Sequence, residues 1–308
     1  RSASSTAPGS RHQIRGGGLM THFVVETAGP RTLIEDAGRR GWADLGISGC
    51  GAWDRRAYLD GARLVGNGAG LGCLEILLGP VRLRCVGGPV LVAVTGADAQ
   101  IDLDGAPRPS GWGFLVTDGQ TVSIAMPATG LRSYFSVTGG INASPTFASV
   151  SADPTRGMGP APLKAGDRVS VGDGPAGLIS TTPVDIQQAP TELVLHGVWG
   201  PRDDWFTDAG RRSLEQTPWR VAQASDRVGT RLEGPSLERA VTGELTSEPV
   251  MRGAIQVPTS GVPLVFGPDH PTTGGYPVIG VVDPEDADRL AQARAGVVVR
   301  FAMTAHDW

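Results

Sequence analysis

The chain has 308 residues, 40% of them hydrophobic and 19% charged, with a formal net charge of −4. That length accommodates two domains with cores of their own, and a mildly acidic chain without a basic stripe offers nothing to nucleic acid. Its 45 glycines and 24 prolines favour many short strands and turns over long helices.

Lys164 is the one lysine. It lies in Pro162-Leu163-Lys164-Ala165-Gly166 rather than at the end of GxxxxGK[ST], which argues against a Walker ATPase, and its surroundings fit neither a Schiff-base nor a biotin-carrying lysine. Cys50, Cys73 and Cys85 are odd in number and lack CxxC spacing, so reduced thiols in a cytoplasmic protein are expected. No apolar run approaches the roughly 18 residues of a membrane span. Residues 1–19, rich in Ser, Gly and Arg, read as a leader or tag-like extension, with Met20 the expected native start.

Residues 22–27 alternate as a strand and are stopped by Gly29-Pro30. A short polar loop with two glycines is expected from Thr32 to Trp42. Asp54 caps a predicted helix over 55–64, with an apolar face at Ala57, Tyr58, Gly61, Ala62 and Val65. Strands are then expected at 73–78, 81–86, 90–95, 99–103, 113–117, 121–125 and 131–137, each bounded by Gly, Pro or Asp turns. That spacing makes 20–140 a barrel or sandwich. Residues 141–190 are less regular and connect the halves, with one strand at 168–171.

From Thr191 the plan restarts, so 191–308 is a second β domain. Glu192–Val198 followed by Gly200-Pro201 mirrors Phe23–Val25 followed by Gly29-Pro30. Asp226-Arg227-Val228-Gly229 mirrors Gly38-Arg39-Arg40-Gly41, and Glu248…Gly253…Gly261 mirrors Glu75…Gly79…Gly88. Matches in the same order, offset by about 170 to 190 residues, indicate an internal duplication. The second half carries its helix elsewhere, over 203–215.

The stretch richest in candidate chemistry runs from Arg252 to Pro277. It begins as a strand, breaks at Pro258 and Gly261, resumes at Val262–Phe266 and ends in the loop Asp269-His270-Pro271-Thr272-Thr273-Gly274-Gly275-Tyr276-Pro277. An isolated Thr-Thr-Gly-Gly is first of all a turn. Here it lies beside Asp269 and Tyr276, and paired glycines allow close backbone approach to a ligand. Asp36 with Arg39, and Asp226 with Arg227 and Arg231, put carboxylate and guanidinium on short loops. Each pair either fixes a turn or holds a carboxylate, carbamate or phosphate. Asn67, Glu75, Glu248 and Gln256 serve either a site or buried backbone groups. No nucleophile–base set and no metal-ligand spacing stands out, and His270 is the histidine to watch, since it lies inside the candidate loop.

Several blocks together resemble the KipA family, also called allophanate hydrolase subunit 2. They are Asp36-Ala37-Gly38-Arg39-Arg40-Gly41, Leu64-Val65-Gly66-Asn67, Leu74-Glu75, Gly139-Gly140-Ile141, Ser225-Asp226-Arg227-Val228-Gly229-Thr230-Arg231-Leu232, Ser247-Glu248, Gly253-Ala254-Ile255-Gln256-Val257-Pro258 and Thr272-Thr273-Gly274-Gly275-Tyr276-Pro277. The resemblance spans about Phe23 to Phe301. It implies a mainly β fold of two related cyclophilin-like barrels with a few short helices. It further implies a subunit of an ATP-dependent 5-oxoprolinase, working with a KipI-like B subunit (allophanate hydrolase subunit 1) and a LamB/YcsF-type A subunit, with ATP bound by or shared with the partner. The alternatives are the carboxyltransferase half of a biotin-dependent urea or amide carboxylase, and a regulatory partner of a KipI-like protein. Under the first reading, Asp36, Arg39, Asp226, Arg227 and Arg231 are catalytic. Asn67, Glu75, Glu248, Gln256, Asp269, Thr272, Thr273, Gly274, Gly275 and Tyr276 then bind substrate, and no metal is ligated.

Two departures from the family pattern stand out. Glu35 occupies a position that is usually Gln, and Ala148-Ser149-Val150-Ser151-Ala152 replaces a Gly-Ser-Arg-Ser-Thr run, losing its arginine. A different substrate or weak activity follows if that arginine touches substrate.

Overall fold

The computed structural model describes residues 21–174, 177–186 and 188–305. The expected leader and Met20 lie outside the described residues. The protein is mainly β, with three short α-helices among the described residues.

The first unit is two sheets over one core. In spatial order, one sheet runs Ile141–Asn142, Arg168–Val171, His22–Thr27, Val81–Val86, Thr121–Ile124, Ile101–Leu103 and Ala106–Arg108. The other runs Arg31–Glu35, Cys73–Leu77, Thr129–Val137, Val90–Asp98 and Gly113–Val116. Alternation along each strand drives one set of side chains inward, as period-two geometry requires. Phe23, Val25 and Leu83 from one sheet meet Leu74, Ile76, Val92 and Phe135 from the other. The rings of Phe23 and Phe135 meet edge to face, centroids 5.2 Å apart.

The second unit closes on itself. Its ring runs Glu192–Trp199, Val278–Val282, Ala254–Gln256, Leu264–Phe266, Gly229–Glu233, Trp219–Val221 and Val298–Thr304. The last strand pairs in parallel with the first, Leu195 opposite Phe301. Around Trp219, Leu193, Ile255 and Val299 the core is fully buried.

Helix Arg55–Leu64 forms as expected, with the Asp54 carboxylate accepting from the Ala57 N–H. Two expectations are corrected, and one element is added. The loop assigned to 32–42 begins as the strand Arg31–Glu35, because its hydrogen bonds go to Cys73–Leu77. The helix over 203–215 is two pieces, a 3-10 turn Asp203–Trp205 and a helix Asp208–Gln216, separated where buried Phe206 is extended and Thr207 caps the second piece. Helix Pro284–Arg289 was not anticipated, although proline at a first helical position is a start signal. All three cysteines are free and buried. No helix among the described residues is long and apolar enough to cross a membrane.

Candidate functional site

The two units meet on the outer face of the five-stranded sheet. In the strand Cys73–Leu77, Leu74 and Ile76 point into the core, so alternation turns Glu75 toward the second unit. Leu33 and Tyr134 stand opposite Glu75 on the neighbouring strands. From the other side comes Arg227, in a tight turn where the Asp226 carboxylate accepts from the N–H groups of Val228 and Gly229. The Asp269 N–H bonds to the Arg227 carbonyl at 3.0 Å, extending the pairing of the strands that follow and precede them.

Arg227 is the hub. Its guanidinium grips Asp269 with two parallel hydrogen bonds, Nε to Oδ2 at 2.7 Å and Nη2 to Oδ1 at 2.8 Å. Across the boundary, Nη1 donates to Glu75 Oε1 at 2.6 Å and Nη2 donates to the Gly51 carbonyl at 2.9 Å. Glu35 Oε1 lies 3.3 Å from Nη2. Glu75 also accepts from the Tyr134 hydroxyl and the Trp53 N–H, each at 2.9 Å to Oε2. Arg132 Nε stands 3.4 Å from Glu75 Oε1, with its guanidinium 4.1 Å above the Trp53 ring.

Three acids therefore share two arginines in a buried setting, and their protonation follows from who holds them. Burial pushes Glu75 up, but Arg227 and Arg132 outweigh it and hold the carboxyl below its usual value. Burial dominates at Glu35, reinforced by the charges of Glu75 and Asp269, so its carboxyl is pushed well above the usual range despite Arg227. Among the described residues, neither Glu35 oxygen has a hydrogen-bond partner.

Above this cluster opens a cleft of about 650 Å³. Its floor is Trp53, Glu75, Arg132 and Arg227, with Leu33 and Leu77 on one wall and Thr230 and Leu290 on the other. Asp226 sits at its rim, exposed. Arg132 was missed in the sequence. The available signal was Leu131-Arg132-Ser133-Tyr134, a strand whose outward face carries an arginine and a tyrosine.

The remaining candidates separate into other places. Asp36 and Arg39 do not pair with each other. Asp36 accepts from the Ser149 and Ser151 hydroxyls, each at 2.6 Å, and from the Val150 N–H at 2.8 Å. Arg39 Nε donates to the Thr146 carbonyl at 3.1 Å, and Nη2 donates to the Ser151 carbonyl. Both residues thus hold the segment that departs from the family run. Asn67 brackets a turn, donating to the Val137 carbonyl and accepting from the Gly139 N–H.

Glu248 and the Thr-Thr-Gly-Gly loop form one small ribbon, in which Glu248 pairs with Gly274 and Pro249 with Thr273. Arg202 donates to Glu248 through Nε and Nη2. Gln256 is buried beneath and donates to the Tyr276 carbonyl. None of Thr272, Thr273, Gly274, Gly275, Tyr276, Glu248, Gln256 or Arg231 lines the cleft. Arg231 points outward because it alternates with the buried Thr230 and Leu232. The loop beginning at Asp269 is therefore split, its first residue in the charge cluster and its tip at the surface. Among the described residues, no group of three or more His, Cys, Asp or Glu is placed to hold a metal ion.

Two β units sharing a buried acid–arginine cluster beneath a common cleft define a protein of two subdomains. The model of the carboxyltransferase domain, subdomain A and B, matches residues 45–303, and the chain belongs to that family. Similar proteins include the 5-oxoprolinase C subunit of Escherichia coli (strain K12), 35% identical over 277 residues, 89% of this chain and 88% of that protein. The 5-oxoprolinase C subunit of Haemophilus influenzae is 31% identical over 274 residues, 88% and 87% of the two chains. A putative urea carboxylase of Emericella nidulans is 29% identical over 298 residues, 91% of this chain but 24% of that protein. Among solved structures, TTHA0988 aligns with a TM-score of 0.82 and 33% identity over 98% of this chain, which spans 59% of TTHA0988. The K. lactis urea amidolyase shares the fold, with a TM-score of 0.83 at 24% identity over 94% of this chain and 19% of that one.

Proposed function

We propose that this chain is a subunit of an ATP-dependent 5-oxoprolinase that opens the lactam of 5-oxo-L-proline to L-glutamate. The observation that carries this reading is the 35% identity to a 5-oxoprolinase C subunit along nearly the whole of both chains. A KipI-like B subunit and a LamB/YcsF-type A subunit are its partners, and the assembly is cytoplasmic.

A lactam accepts water poorly. Passing the terminal phosphoryl group of ATP to the lactam oxygen releases ADP and makes the ring carbon electrophilic. One water then adds and the ring C–N bond breaks as nitrogen takes a proton, which leaves an acyl phosphate; a second water hydrolyses it, releasing phosphate and L-glutamate. In this chain the acid–arginine floor keeps a fixed, dry field beside the cleft. Arg227, committed to Asp269 and Glu75, acts by holding that floor together. With no P-loop lysine here, ATP is bound by the partner or shared with it.

A second reading has the family name in its favour. In it the chain is the carboxyltransferase half of a biotin-dependent urea or amide carboxylase, with the biotin carrier on another chain. The deciding experiment is phosphate release from ATP by the chain assembled with both partners, with and without 5-oxoproline. Release that requires 5-oxoproline and yields glutamate supports the lactamase. A stable assembly with no such stimulation, but with urea-dependent turnover that needs biotin, supports the carboxylase.

A further inference from the structure

Arg132 occupies an unusual position for an arginine. Its side chain is 7% exposed, yet it lines the cleft. Nη1 donates to the Ala291 carbonyl at 2.6 Å, and Nε faces Glu75. Nη2 has no hydrogen-bond partner among the described residues. Its counter-charge is shared: Arg227 reaches the same Glu75 oxygen at 2.6 Å, against 3.4 Å for Arg132. Arg132 therefore has the weaker hold on Glu75, and its free edge faces the cleft, where it can donate to an incoming anion.

The backbone of Arg132 is gripped from the other unit. Gln292 Oε1 accepts from the N–H groups of Leu131 and Arg132, at 2.9 and 3.0 Å. Gln292 Nε2 donates to the Arg132 carbonyl at 3.0 Å and to Asp54 Oδ2 at 2.8 Å. This occurs where the pairing of Thr129–Val137 with Val90–Asp98 slips in register, so one side-chain amide replaces a missing strand partner.

We infer that Arg132 anchors the carboxylate of a small ring-bearing acid in the cleft, and that Gln292 is the positioning residue that holds it there. The walls fit the body of such a molecule, since Leu33, Leu77, Leu131 and Leu290 present apolar surface beside the guanidinium. A single free guanidinium edge, with Glu75 and Asp226 on the same lining, suits a monoanion and disfavours a phosphate dianion. The choice of 5-oxo-L-proline as that acid rests on the reading above, whereas the site itself does not.

The test is calorimetric titration of the full chain with cyclopentanecarboxylate and its carboxamide, and with 5-oxo-L-proline and its carboxamide. Each acid is expected to bind about tenfold or more tightly than its amide, the difference one charge-assisted contact supplies. In Arg132→Leu, with near-UV circular dichroism showing a retained fold, that preference should disappear, and Gln292→Ala should weaken it. Because the acid–amide comparison is made on the unaltered chain, it stands even if Arg132→Leu does not fold. Binding of cyclopentanecarboxylate but not 5-oxoproline, with the same dependence on Arg132, upholds the site and removes 5-oxo-L-proline as its ligand, while turnover by the assembled subunits decides the 5-oxoprolinase reading. Equal affinity for acids and amides, or acid binding unchanged in Arg132→Leu, overturns the inference, as does failure of both acids to bind.

Discussion

Arg227 donates from Nη1 to Glu75 Oε1 across 2.6 Å, and in doing so one arginine of the second unit neutralises an acid of the first. The contact is a structural seam as well as part of the cleft floor. Replacing Arg227 with Met leaves Asp269 and Glu75 short of their main counter-charge, and removing one partner of a buried pair costs about 3–5 kcal/mol. The urea unfolding midpoint should fall accordingly. Glu75 is held below its usual value, so its stabilisation is present above the unfolded value of 4.5 and is lost as pH falls. The deficit of the variant should therefore narrow on acidification, and a deficit that widens would contradict this electrostatic account.

Glu35 works in the opposite sense. Its folded carboxyl titrates well above the usual 4.5, so its contribution is full below that value and lost as pH rises through the folded one. Glu35→Gln should match the parent at pH 4 and become the more stable protein at pH 7 to 8, as read by thermal or urea unfolding across that range. Equal stability at every pH would mean that the carboxyl is ionised in the folded protein.

Asp36 is expected to matter for architecture. Its carboxylate holds the hydroxyls of Ser149 and Ser151. Asp36→Asn should cost about 1–3 kcal/mol, the scale for disturbing buried charged hydrogen bonds. Limited proteolysis should show faster cleavage within 146–160, and an unchanged cleavage pattern would count against this role.

Thr273 is exposed at the tip of the ribbon. Thr273→Ala should change stability by no more than about 0.5 kcal/mol, as substitutions away from packed features do. It should also leave binding of small acids to the isolated chain unaltered, because Thr273 does not line the cleft. A lost binding signal would place the loop at the ligand.

Much of this was legible in the sequence because it is local. Asp54 capping its helix, the strand alternation and the break in the stretch 252–266 all follow from neighbours a few residues apart. Arg227, Glu75 and Asp269 were each singled out, but from separate loops and strands, and nothing local told that they converge. Their separation along the chain is 152 residues for Arg227 with Glu75. Arg132 was hidden for the same reason: its significance comes from Gln292, 160 positions away. Asp36 and Arg39 misled in the other direction. Nearness in sequence suggested a pair, whereas turn geometry sends both side chains to the 146–151 segment.

The parallel pairing of Val298–Thr304 with Glu192–Trp199 bears on how the protein is made. During synthesis the strand Glu192–Trp199 emerges about a hundred residues before the strand that completes its ring, an ordering that favours late, non-local closure. Until then the nascent second unit presents an open edge at Glu192–Trp199 and another at Trp219–Val221, which the same late strand also covers. Arg227 is translated well before that closure, while Glu75 and Glu35 have already been made. The ring of the second unit therefore closes only after every partner of Arg227 at the seam has been made.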